Sequence, residues 1–219
     1  MLNNKVEQAM QSLDGKIAPI ADKLIDQGLS GHPPNLTVNE KNLLDYFLFV
    51  QFKRSAEWRN EEMEREVYGD LTGDELPNGV PRRIGAHSIT SASSYARRIL
   101  QNDFANSLLL GNDEIAEVLH GKGLLICRVP RGEALVVGTT VVVSAGADAS
   151  NGSLEDSRRG LAFPLASEIL LCVGNTKDVR EICDLSAEQV QTINKQIARH
   201  SLGIAGQSSE LVRSALSSH

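Results

Sequence analysis

Between Leu43 and Phe52 the sequence is apolar almost all the way round a helix, so this segment has to be buried. A single neighbour cannot shield such a helix, and the rest of the chain must supply cover on several sides. Its start is marked by Thr37-Val-Asn-Glu40, a capping box in which the threonine hydroxyl takes an early backbone N–H and the glutamate reaches back. Leu44, Leu48, Gln51, Ser55 and Trp58 share one face of the continuing helix, which carries the Gln51 amide into the core region. A buried amide without partners costs about 1–3 kcal/mol, so Gln51 requires hydrogen bonds there. Arg54 follows one turn later. Beyond Arg59 the charges of Glu61, Glu62, Glu64, Arg65 and Glu66 predict that the helix emerges into solvent near Tyr68.

The cover is legible on both sides of this segment. Val6, Met10, Leu13, Ile17, Ile20 and Leu24 recur at helical spacing, with Gly15 and Pro19 expected to weaken or kink their helix, and Gly28 to Pro34 read as a turn. Residues 69–87, rich in Gly, Pro and Asp, read as a mobile connection. Ile89, Ala92, Ala96, Ile99 and Leu100 predict a helix over 88–110, followed past Gly111-Asn112 by a shorter one carrying Ile115 and Leu119. From residue 123 the period changes to that of strands. Gly123 to Val129 and Ala134 to Val143 are β-branched and apolar, and Pro130 to Glu133 between them is hairpin-like. After a small, polar loop over 145–160, Leu161 to Leu165 and Glu168 to Val173 resume the sheet, with Pro164 confining its strand to an edge or a bulge. Asp178 to Cys183 reads as a short helical turn. Ser186-Ala-Glu-Gln189 is a second capping box, opening a helix with Val190, Ile193, Ile197 and Ala198 on one side and an end near Gly203 or Gly206. A last helical turn is expected around Leu211 to Leu216.

These elements predict one α+β domain over residues 1–219, helical over 1–120, with a sheet over 123–173 and a closing helix over 187–205. In it the central buried helix and its flanking helices pack on a small, mainly antiparallel sheet. Composition narrows the function classes. A net charge of −6 argues against a nucleic-acid binder that works through a basic face, although Arg82-Arg83, Arg97-Arg98 and Arg158-Arg159 offer local patches. No run approaches the ~20 apolar residues of a membrane helix. Three cysteines, odd in number and without metal spacing, fit a reducing compartment, and the expected location is the cytoplasm.

No phosphate-binding glycine loop, dinucleotide fingerprint, nucleophile elbow or zinc-ligand series is present, and no cofactor is implied. His32, His87, His120, His200 and His219 are far apart at predicted loops and helix ends, and read as surface or cap residues. The sharper candidates are Gln51, Arg54 and Arg59 on the central helix, Thr139 and Thr140 within an apolar strand, and Asn194 on the late helix, each set among residues that must face the core. Two accounts of them stand open. Buried polar groups usually satisfy one another in a structural network, and the same groups suit a pocket for an anion or an amide. A carboxylate metal site at Glu61, Glu62 or Glu64 is disfavoured, because consecutive acidic residues on a helix point in different directions.

The run from Thr37-Val-Asn-Glu-Lys41 through Phe49-Val-Gln-Phe-Lys-Arg-Ser-Ala-Glu-Trp-Arg59 resembles the bacterial family of domain of unknown function 4238. A comparable family helix carries a Gln and an Arg three residues apart, often with a further Arg, which correspond to Gln51, Arg54 and Arg59. Phe163-Pro-Leu165 with the strand after it, and Ile193-Asn-Lys-Gln-Ile-Ala198, are similar to later family segments. Two departures stand out: the family's opening His- and Tyr-containing segment is missing, making this a short form, and Val137-Gly-Thr-Thr-Val-Val142 stands where the family tends to carry Thr-Ser-Asp-Asn-Pro. The resemblance implies a fold and no particular activity.

The expected function is a non-enzymatic binding or regulatory protein that meets another protein, in a bacterial mobile-element, phage or toxin and defence setting. The alternative is a hydrolase of a phosphodiester or other anionic substrate, with Arg54 and Arg59 forking the anion. A third reading takes the chain as a fragment completed by another chain that docks on the exposed face of the first helix.

Overall fold

A computed structural model describes residues 2–53, 118–145, 160–174 and 179–217. The expected helix over 88–110, the connection over 69–87, the arginine pairs and nearly all of the loop over 145–160 lie outside the described residues. The backbone divides into two compact units, Met1–Ser12 with Ala56–Gly111, and Leu13–Ser55 with Asn112–His219. Of the first, only the opening of one helix is described; the second holds everything below.

Helix α1, Leu2–Leu29, is continuous through Gly15 and Pro19. Leu13, Ile17, Ile20 and Leu24 form its buried stripe. It stops in a Schellman motif: Gly31 takes φ 74°, its N–H bonds Gly28 O at 3.1 Å, and His32 N–H bonds Gln27 O at 2.8 Å. Gly28 is held against the sheet so closely that a Cβ there would come within 2.8 Å of both Ile126 and Ile169. Helix α2, Val38–Lys53, begins at the expected box, with Thr37 N–H on Glu40 at 2.7 Å and Glu40 N–H on the Thr37 hydroxyl at 3.3 Å. Leu44, Phe47, Leu48, Phe49, Val50 and Phe52 are all buried, as a helix apolar on every face requires.

The main sheet has the order β3-β4-β5-β1-β6, from β1 Gly123–Arg128, β3 Val143–Ala145, β4 Gly160–Ala166, β5 Ile169–Gly174 and β6 Arg180–Asp184. All neighbours are antiparallel except β1 and β6. The register of β4 shifts between Pro164 and Ala166, the irregularity its proline called for. Two expectations are corrected. The stretch expected as a helical turn is strand β6, because the buried β1 needs partners for the backbone groups on its second edge and five residues of helix are a weak competitor. The turn over 130–133 does form, with Glu133 N–H on Pro130 O at 3.1 Å and Gly132 at φ 93°, but it does not join adjacent strands. Beyond it the chain leaves the main sheet for the two-residue strand β2, Val137–Gly138, paired with β7, Ile204–Ala205, and rejoins the main sheet only at β3.

Both faces of the main sheet are covered, which is why its strands read as nearly continuous apolar runs. On one face Cys127, Ala162 and Leu170 pack with Val190, Ile197 and Ala198 of α3, Ala187–His200, and with Ala215 of α4, Ser209–Leu216. The neighbouring residues in the strands point the other way: Phe163 meets Phe47 of α2 edge to face at 5.6 Å. The architecture is α+β, with a central buried helix on a mainly antiparallel sheet. Among the described residues no helix is long and apolar enough to cross a membrane.

Candidate functional site

Three of the candidate residues meet along α3. The Asn194 amide, almost wholly buried, accepts from Val136 N–H at 2.9 Å and donates to Ala134 O at 2.8 Å, standing in for a neighbouring strand where the chain has left the sheet. Thr140 donates its hydroxyl to His200 O at 2.7 Å and its N–H to the Ser201 hydroxyl at 3.1 Å, while Thr139 Oγ1 accepts from Leu202 N–H at 2.9 Å. Residues 134–140 thus form a strap over the end of α3. Gly138 makes the crossing feasible, since a Cβ there would collide with Ser201 and Ile197.

Gln51 is buried on α2, which packs on the opposite face of the sheet, so it does not join Asn194, Thr139 and Thr140. Arg54 and Arg59 lie outside the described residues, as do Glu61, Glu62 and Glu64. Among the described residues no group of His, Cys, Asp and Glu is arranged to hold a metal ion.

A second cluster was not among the candidates. Asp45, with no exposed side-chain surface, accepts from Lys41 Nζ at 2.6 Å on both carboxylate oxygens and contacts His120 Nδ1 at 2.7 Å through Oδ2. Lys41 Nζ also donates to Leu119 O at 3.0 Å. Together they clamp α2 to the helical turn at residues 118–120 that leads into β1. Burial pushes the Asp45 carboxyl up and the Lys41 ammonium down, and their mutual contact opposes both shifts. Arg180 adds to the pull on Lys41, and its own Nη1 donates to Leu36 O at 3.0 Å. His120 Nδ1 and Asp45 Oδ2 share one hydrogen bond, with the Nε2 side of the ring turned away from the carboxylate. The ring is 34% exposed, enough to reach solvent. His120 thus stands at a helix end, as expected, and is in addition tied to a buried carboxylate. The signal for this cluster was half present in the sequence, as Lys41 and Asp45 stand four apart at the mouth of an apolar helix; the distant His120 left none.

The third feature is a cleft of about 350 Å³ bordered by Leu29, Arg128, Arg131, Glu133, Glu168 and Ile169. Arg128 is held to Asp184 in a two-pronged ion pair, Nε to Oδ1 at 2.7 Å and Nη2 to Oδ2 at 2.9 Å. Each raises or lowers the other in the direction of greater charge, Arg128 upward and Asp184 downward.

No curated protein and no solved structure matches the chain. A family model described as protein of unknown function DUF4238 matches residues 1–204, the bulk of a sequence whose capped central helix, Pro-Leu strand and Asn194-bearing helix are now seen in place, and the chain belongs to that family.

Proposed function

We propose that this chain is a non-enzymatic binding or regulatory protein and that the cleft beside β1 is where it meets another protein. The supporting observation is the make-up of that cleft. Leu29 and Val129 supply apolar surface over the buried Ile169, and with Arg128 taken up by Asp184 the rim offers Glu133 and Glu168 against Arg131. A slight acidic excess in a chain of net charge −6 suits a partner segment with an apolar side chain flanked by a basic one. The buried Asn194 amide and Thr140 hydroxyl are bonded to the backbone and serve the fold, while Thr139 is exposed. A cytoplasmic setting is in keeping with three cysteines that are all free thiols. A bacterial mobile-element, phage or defence setting belongs to the same proposal.

The hydrolase reading is kept because of one contact, the bond from His120 Nδ1 to the buried Asp45, an arrangement that orients an imidazole for acid–base work. It is the weaker reading physically: Lys41 already neutralises the carboxylate that would have to stabilise an imidazolium.

Arg131 and Glu168 are exposed, so reversing both charges leaves the core untouched. Wild type and the Arg131→Glu, Glu168→Lys double variant are compared by size-exclusion chromatography and lysate pull-down. A stoichiometric partner held by wild type and lost by the variant is the expected result; an identical recovery, or a strictly monomeric wild type that recovers nothing, refutes the cleft. In parallel, a screen of phosphodiesters with divalent metal should show no turnover. Turnover that His120→Ala lowers by ~10²–10⁴-fold would favour the hydrolase instead.

A further inference from the structure

Cys127, Cys172 and Cys183 come from three different strands and meet on the α3-facing side of the sheet. Cys127 and Cys183 are direct partners across the parallel β1–β6 pair, and their sulfurs lie 2.8 Å apart, whereas Cys172 Sγ is 3.9 Å from Cys127 Sγ. All three are free thiols. The first separation is shorter than an ordinary non-bonded contact between carbons, ~3.5–4.0 Å. Neighbouring strands run ~4.8 Å apart, which falls inside the ~4.4–6.8 Å range of Cα separations that a disulfide accepts. Bond formation then asks the sulfurs to close by about 0.8 Å, to the usual ~2.05 Å.

We propose that Cys127 and Cys183 are a redox pair that closes to an intramolecular disulfide under oxidising conditions and leaves Cys172 a thiol. The oxidant is a small-molecule disulfide such as oxidised glutathione. Cys127 is buried, but Cys183 is partly exposed on the edge strand β6 and offers the point of entry. Its thiolate attacks one sulfur of the oxidant, releasing a first thiol and forming a mixed disulfide on Cys183. The Cys127 sulfur then attacks Cys183 Sγ and releases the second. Two protein thiols lose two protons and two electrons, and the oxidant leaves as two thiols. Burial pushes Cys183 up to about 12, and the contact with Cys172, with burial behind it, raises Cys127 further, so reaction is slow near neutrality and quickens with pH. In a reducing compartment the pair stays open; oxidation staples the edge strand to β1.

Trypsin separates the three cysteines onto the peptides 123–128, 160–177 and 181–195. The full chain is incubated with oxidised glutathione at pH 8.5, its remaining thiols are alkylated, and non-reducing digests are read by mass spectrometry. The expected product joins 123–128 to 181–195 within one chain, with 160–177 alkylated, and reductant reverses it. Oxidised protein should melt about 5–10 °C higher than reduced protein. Cys172→Ser should behave as wild type and Cys183→Ser should give no link. A link from 123–128 to 160–177, a link between chains, glutathione retained on a single cysteine, or three alkylatable thiols after prolonged oxidation would each overturn the proposal. The wild-type digest decides alone, so a variant that fails to fold does not obscure the answer.

Discussion

The strap over α3 and the clamp on α2 do the same mechanical task with opposite chemistry. Each ties a helix to chain that arrives from far away, Asn194 to residues 134 and 136, and Lys41 and Asp45 to residues 119 and 120. The strap uses neutral amides and hydroxyls on backbone groups. The clamp uses a cation and an anion that have both been taken out of water. Neutral bonds are each worth about 1 kcal/mol and ignore pH, while a desolvated ion pair repays its burial only as long as both partners are present. The strap should therefore fail gradually under mutation and the clamp abruptly.

The largest effect is expected from Lys41→Met, which leaves Asp45 a buried charge with His120 as its remaining partner among the described residues. Urea denaturation near pH 7 should show a loss of about 3–5 kcal/mol. Burial already raises the Asp45 carboxyl, and removing the cation raises it more. Between its unfolded and folded values the folded state then binds the extra proton, so this variant should lose stability as pH rises and be better folded near pH 4 than near pH 7. Adding Asp45→Leu should restore most of the loss. If Lys41→Met costs less than 1 kcal/mol, the two regions do not differ as claimed.

Asn194→Ala comes next. It strands a buried N–H and a buried carbonyl, and the same denaturation should read about 2–3 kcal/mol, unchanged from pH 5 to 8. A pH slope would show that the strap, too, leans on a titrating group.

The smallest effect tests a half-buried ion pair against the buried one. Glu40 is held down to about 2, first by the Thr37 backbone N–H and then by Lys23, whose Nζ lies 2.9 Å away. A lowered carboxyl contributes stability that is present above its unfolded value near 4.5 and is lost as pH falls from there to about 2. Glu40→Gln retains the capping geometry and loses the Lys23 pair, so it should cost no more than about 1 kcal/mol at pH 7 and only a minor part of that at pH 2.5. Thermal melts at the two pH values check it.

The ease of reading these regions also differed. The Thr37 and Ser186 boxes, the buried stripe of α1, the all-round burial of α2 and the face of α3 with Val190 and Ile197 are local patterns, fixed by neighbours three and four residues away. Asn194 stood out for the same reason, as a polar side chain on an apolar face. Its companion Gln51 stood out equally and lies across the sheet, because a helix pattern shows which side is buried and says nothing of what covers it. Arg54 and Arg59 stand beyond the described residues.

The sequence by itself determined the α+β class, the two capped helices, the change of period at residue 123 and the family. The tertiary structure alone decided that residues 180–184 pair as a strand, that residues 134–140 leave the sheet as a strap, that His120 turns onto Asp45, and that Cys127 faces Cys183. The physical reason is common to all four. Each is a contact between groups from about 56 to 75 residues apart in the chain, made because a buried edge, helix end, charge or thiol took the partner that the packed fold brought within reach.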